Sequence, residues 1–193
     1  LAPILQTDYR GPLSLEIFND GFRAAPTRQI AADGLRSLLY LEEKTHLQLQ
    51  HKAQRIEPGV LFDPAPASAY DGVEFLEFAV DESVGARLGG WLERLGFVEA
   101  GAHRSKGVRL LRQGDINIVL NAEPYSFAHN FFEAHGPSLC AIALRVKDAQ
   151  AALQRATAYG GQPFRGLVGP NEREIPAVRS PDGSPVSYTH LTL

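Results

Sequence analysis

The amino-acid sequence predicts an α+β chain in which two βαβββ units follow a single βα unit. Three observations carry this prediction. Strand and helix periodicities recur in the same order from Val73 and again from Leu139; a proline-rich stretch separates them from what precedes; and one strand-then-helix pattern stands alone near the start.

That opening pattern is Gly11 to Phe22, GPLSLEIFNDGF, where β-formers alternate from Leu13 to Phe18 between the turn signals Gly11-Pro12 and Asn19-Asp20-Gly21. Alternation puts Glu16 with Ser14 and Phe18 on one face, and Leu13, Leu15 and Ile17 on the other. Covered on both faces, as in a parallel sheet, an ionised Glu16 costs roughly 2–5 kcal/mol unless a cation or hydrogen-bond donors meet it. On an edge strand the same carboxylate stands in water, and the residues alone leave both readings open. Ala25-Pro26-Thr27 then offers a helix start, with Ile30, Ala31, Leu35, Leu38 and Leu41 or Leu39 at helical spacing to about Glu43. Such a βα unit buries both its faces only inside a larger α/β sheet or barrel. The sequence contains no methionine, so Leu1 is not a translation start and the N-terminus is expected to cut through a domain.

Residues 45–55 are polar, and His46 and His51 among them are expected in solvent. Glu57 to Gly72, EPGVLFDPAPASAYDG, is a semi-extended linker signature that cannot hold a regular ladder. The expected division is therefore a first domain over 1–55, a linker over 56–72 and a second domain over 73–185.

The first long unit opens with the strand Val73–Val80, VEFLEFAV, and a helix capped near Asp81 that carries Val84, Leu88, Trp91, Leu92 and Leu95 up to Gly96. Trp91 is expected in the core. Strands follow over 97–103, 108–112 and 116–121. The second unit has the strand Leu139–Val146, a helix capped by Asp148 and ended by Gly160-Gly161, a run at 166–169, a polar loop at 170–174 and a strand over 175–179. Val186–Leu193, VSYTHLTL, resembles translated adaptor sequence and is expected to be a non-native tail.

Composition excludes several function classes. With 44% hydrophobic and 21% charged residues and a net charge of -3, both signs interspersed, nothing points to nucleic acid or an anionic membrane. No apolar run reaches the length of a membrane span. The single cysteine, Cys140, makes no internal disulfide, so a reducing, cytoplasmic location is the default.

The paired units, with VEFLEFAV, AIALRVKDA, LERLGF and ATAYGG, resemble the vicinal oxygen chelate (glyoxalase-like) superfamily, and within it the N-terminal domain of 4-hydroxyphenylpyruvate dioxygenase. GPLSLEIFNDGFR and DGLRSLLYLEE are similar to the last strand and helix of sugar-phosphate-isomerase-like (β/α)₈ barrels. That order resembles the bacterial two-domain 3-dehydroshikimate dehydratases. The resemblance implies a carbon–oxygen lyase acting on a small molecule, losing water from 3-dehydroshikimate to give protocatechuate. It also implies that Glu16 ligates a divalent metal, magnesium or manganese by its oxygen-donor chemistry, with cobalt or zinc as alternatives. The remaining ligands and the general base are expected upstream. At the positions matching the dioxygenase iron histidines stand Phe75 and Ala141, which cannot bind metal, so no iron is implied. Two other readings stay open: a dioxygenase-type enzyme with its iron elsewhere, and a non-catalytic binding or dimerisation module whose strand edges permit a homo-oligomer.

Other candidates have structural readings. Asn19 and Asp20 form a turn that could reach substrate. His129, Glu133 and His135 lie together but lack the helical zinc spacing, and an ordered connection with Phe131 or Phe132 packed inward is expected there. His103 is expected at the surface and Cys140 in the core.

Overall fold

The alternation of VEFLEFAV and LCAIALRV becomes the two central strands, β1 (Tyr70–Ala79) and β5 (Ser138–Val146), of one eight-stranded sheet. The remaining strands are β2 (Val98–Ala102), β3 (Val108–Gln113), β4 (Ile116–Asn121), β6 (Pro163–Phe164), β7 (Ala177–Arg179) and β8 (Pro185–Thr189). Their order is β2-β3-β4-β1-β5-β8-β7-β6. Each predicted unit thus contributes one half, with β1 parallel to β4, β5 parallel to β8, and β1 antiparallel to β5 at the centre.

This computed structural model describes residues 1–7, 9, 11–51, 61–166 and 174–189. The chain divides into Leu1–Ala65 with Ala158–Gly160, and Pro66–Thr157 with Gly161–Leu193. The division falls inside the expected linker, of which residues 56–60 lie outside the described residues, as do the 170–173 part of the polar loop and the last residues of the 166–169 run. Among the described residues no helix is long and apolar enough to cross a membrane.

In the second unit, α4 (Glu82–Arg94) starts where the Asp81 side chain accepts from the Val84 N–H at 2.6 Å. It ends before Gly96, whose φ of +95° is open to glycine and costly to other residues. Its core joins Val80, Leu92, Leu111, Ile118 and Leu120, with Val84 and Leu88 packed against them. Trp91, expected in this core, is 60% exposed. The reason lies in Gly85 and Gly89, buried on the helix face nearest the sheet, where an added Cβ would come within 3.2 Å of Val80 and 3.0 Å of Arg109. Glycines carry no hydrophobic signal, yet they set the line of closest approach. At about 100° per residue, Trp91 is turned roughly a third of a circle from that line.

The ordered connection expected between the two units is a helix, α5 (Phe127–His135), which the Ser126 hydroxyl caps by accepting from the His129 N–H. α6 (Ala149–Ala158) begins at Asp148, whose carboxylate accepts from the Ala151 N–H at 2.9 Å. Its core is Val146, Ala152, Val178 and Tyr188. Of the residues expected to form a non-native tail, 186–189 belong to β8, paired with β5, and Tyr188 is buried. Alternating valine, tyrosine and threonine suit that slot whatever their origin.

The first unit holds α1 (Ala2–Leu5), α2 (Asp20–Ala24) and α3 (Thr27–His51). α3 runs a further two turns beyond the predicted end. The strand expected over Leu13–Phe18 is not formed: the segment has no ladder, and Phe18 is 93% exposed. A strand exists by its neighbour, and every strand among the described residues belongs to the second unit's sheet. Leu15 instead rests against α3 at Gly34, 3.5 Å from where a Cβ would stand. His46, expected in solvent, is half-buried, because residues 61–63 fold back along α3. There the Phe62 N–H donates to Glu42 at 3.0 Å, Leu61 packs on Leu49, and Asp63 approaches His46 to 3.9 Å. His51 is exposed.

Leu111 is fully buried between sheet and α4. Leu111→Ala is expected to lower stability by about 3 kcal/mol in urea denaturation; a loss under about 1 kcal/mol would show that this contact does not hold helix to sheet.

Candidate functional site

Strand register decides which side chains share the sheet face opposite α4. Glu77 lies opposite Val119 and Ala141, Leu110 opposite Val119, Arg112 opposite Asn117, Val108 opposite Asn121, and Gly101 opposite Leu110. Opposed residues point the same way. Leu111, Ile118 and Leu120 face the helix, so this set faces away from it. A cavity of about 270 Å³ opens on that face, with Phe75, Val108, Leu110 and Val119 as apolar walls and Glu74, His103 and Asn117 as polar lining.

Strict alternation would place Glu74 opposite Phe75, but the register shifts between Val73 and Phe75. Glu74 is only 3% exposed, and its carboxylate accepts from Arg145 Nε at 2.5 Å. That hydrogen bond, and then the charge of Glu74, raise the Arg145 pKa further. Asn117 Nδ2 donates to the Glu74 carbonyl at 2.8 Å, and Arg112 Nε donates to Asn117 Oδ1 at 2.9 Å. Beside this network Asn121 Nδ2 donates to Glu77 Oε1 at 2.6 Å. Burial pushes the Glu77 carboxyl above its ordinary range, the Asn121 hydrogen bond pulling the other way. Cys140 is pushed up to about 12, by burial first and the Glu77 charge second, and is an inert core thiol.

Glu16 sits on the exposed, unladdered segment, apart from this face in chain and unit. Among the described residues no three His, Cys, Asp or Glu side chains gather as a metal-ligand group. Glu16 is a donor of the right type for a hard cation and belongs to no such group of three among the described residues. Of the two readings left open by the sequence, the described residues show the exposed one in this chain: no described strand lies beside Glu16, and its carboxylate is open to water. Asn19 caps α2, its side chain accepting from the Phe22 N–H at 3.0 Å, and Asp20 makes an exposed pair with Arg23 at 3.8 Å. His129, Glu133 and His135 lie on α5 without forming a site, and Phe127, Phe131 and Phe132 pack inward. His103 is exposed, as expected, and also lines the cavity. Phe75 is a cavity wall and Ala141 lies under α5.

Glu74, Glu77, Asn117, Asn121 and Arg145 were not legible as a group. One signal was available: INIVLN places two asparagines four apart, hence on one strand face, where buried amides need partners.

The family model for the N-terminal domain of hydroxyphenylpyruvate dioxygenase matches residues 65–190. A 3-dehydroshikimate dehydratase of Pseudomonas putida is 84% identical over 184 residues, 95% of this chain and 29% of that protein. One of Pseudomonas aeruginosa is 73% identical over the same shares. A solved structure, a xylose isomerase-like TIM barrel/4-hydroxyphenylpyruvate dioxygenase fusion protein, is 80% identical with a TM-score of 0.88, covering 99% of this chain and 31% of that one. The chain spans under a third of the length of these relatives.

Arg145→Met leaves Glu74 buried without its cation and is expected to cost about 2–3 kcal/mol in urea denaturation, Arg145 being partly exposed. The double change Glu74→Leu/Arg145→Met should recover most of that loss; equal losses in both variants would show that the pair is not the cause. Glu77 has a folded pKa above its unfolded one, so its native state holds the proton more tightly. Its contribution is present at low pH and lost as pH rises through the raised value. Melting temperatures measured from about pH 4 to 8 should fall less steeply for Glu77→Gln than for the parent; parallel profiles would contradict this.

Proposed function

The chain belongs to the hydroxyphenylpyruvate dioxygenase N-terminal family, and from that premise we propose that it is the junction segment of a two-domain 3-dehydroshikimate dehydratase. In this reading it joins the last βα unit of a metal-dependent (β/α)₈ barrel to a dioxygenase-like half. The observation that carries the proposal is the 84% and 73% identity to two 3-dehydroshikimate dehydratases along 95% of this chain. That span takes in both units.

The reaction is the loss of water from 3-dehydroshikimate to give protocatechuate. Glu16 is one ligand of a divalent ion, magnesium or manganese by donor type and cobalt or zinc as alternatives, in a set completed by other parts of the longer parent. A bound ion supplies Lewis acidity at the ketone. The general base also lies outside this chain. A cytoplasmic location, a small-molecule substrate and a homo-oligomeric parent belong to the same reading. The dioxygenase alternative places its iron outside this chain, and it is the identity to the two dehydratases that favours the first reading.

In the full-length parent, Glu16→Gln is expected to lower kcat/KM for protocatechuate formation by about 100-fold or more and to reduce bound metal. Turnover and metal content within about threefold of the unaltered parent would sink the assignment of Glu16. The 193-residue chain by itself should form no protocatechuate.

A further inference from the structure

We propose that the β1–β4 face binds a small carboxylic acid with an apolar body about one ring in size, the carboxylate on Arg112 and the body in the adjoining cavity. The inference rests on the second unit alone and is independent of the dehydratase reading.

The carboxylate follows from how Arg112 is held. It is half-buried, and its Nε donates to Asn117 Oδ1 at 2.9 Å. Asn117, itself 7% exposed, is anchored in turn through Nδ2 to the Glu74 carbonyl at 2.8 Å. This relay fixes the guanidinium and engages one of its three nitrogens. Among the described residues the two Nη groups make no hydrogen bond, and no carboxylate pairs with Arg112. Glu74 is paired with Arg145, and Asp115, in the turn after β3, is exposed. The row Arg112, Asn117, Glu74 and Arg145 across β3, β4, β1 and β5 therefore holds two cations and one anion. A fixed, partly desolvated guanidinium without a counter-charge is unfavourable. Its unengaged end is the fork that receives a carboxylate through two parallel N–H···O bonds.

The body of the ligand follows from the neighbouring walls. Arg112 and Leu110 are two residues apart on β3, hence on one face and roughly 7 Å apart along the strand. Leu110 forms the cavity wall with Phe75, Val108 and Val119, and Asn117 lies on both the cavity lining and the Arg112 relay. At about 270 Å³ the cavity falls just below the roughly 300–1,000 Å³ of drug-sized sites, which suits one ring and excludes a nucleotide. The Phe75 ring offers an aromatic contact. The separation of wall and guanidinium asks for a carboxylate set off from the ring by a short spacer.

Phenylacetate, 2-phenylethanol and acetate are titrated into the full 193-residue chain and followed by amide NMR. Phenylacetate should saturably shift the amides of residues 101–103, 108–112 and 117–119 with a Kd of about 1 mM or tighter. It should bind about tenfold or more tightly than 2-phenylethanol, which has the ring without the charge, and than acetate, which has the charge without the ring. Arg112→Gln should bring phenylacetate down to the level of 2-phenylethanol and leave the alcohol's affinity unchanged, which also shows the cavity intact. Gly101→Val, beside Leu110 where an added Cβ meets nothing within 4 Å, should weaken both ring ligands. Absence of saturable shifts with phenylacetate, 2-phenylethanol or acetate binding as tightly, or phenylacetate affinity unchanged in Arg112→Gln or in Gly101→Val would each overturn the proposal.

Discussion

The antiparallel pairing of β1 with β5 is the interaction that makes one domain of two half-sheets. Each half is otherwise provided for, with its own parallel closure, its own helix and its own core. Their strands join at this seam, and the Glu74–Arg145 pair crosses it from one strand to the other. A buried pair of this kind is a poor source of net stability, since desolvating both charges offsets most of their attraction. It is nevertheless sensitive to register. A one-residue slip would turn the β5 side chains to the wrong face and strand a buried carboxylate without its cation.

The two halves repeat in topology and differ in what covers them. Around β5 the side chains are small, with Ala141 and the bulged Cys140 beside Ala79, and α5 lays Phe127, Phe131 and Phe132 onto them. Over β3 and β4 the same face carries larger groups, and there a cavity remains. Small residues admit a helix to close approach, whereas Phe75, Leu110 and Val119 stand up as walls. The difference between the filled and the open part of this face thus follows side-chain volume along it.

Much of this architecture was legible because strands with alternating burial and helices with caps leave local signals. INIVLN was bounded correctly at both ends, and Asp81, Asp148, Gly96 and Gly160 mark helix ends that the structure retains. What was hidden depended on partners distant in sequence. Trp91 was assigned by helical spacing, but two glycines silent to that pattern fix which side of α4 meets the sheet. Glu74 and Glu77, three apart in a strand, come to one region only through a register shift that no periodicity announces. The polar network is tertiary in origin: its hydrogen bonds link residues 43, 44 and 71 positions apart.

The same reasoning explains why Glu16 is apolar in its sequence setting and exposed in the structure. The alternation of LSLEIF encodes a strand, but a ladder and the exclusion of water are conferred by neighbours, and among the described residues none lies alongside it. Leu13, Leu15, Ile17 and Phe18 are exposed with it, as are Leu35, Leu41 and Leu47 on α3, an apolar surface of the kind that calls for cover. On the proposed reading, adjacent barrel strands provide the ladder and remove the water together. Once dry, the carboxylate requires a cation, so strand formation, desolvation and metal affinity become one coupled equilibrium. Removing the ion should then loosen the strand, and removing the strand's neighbours should release the ion.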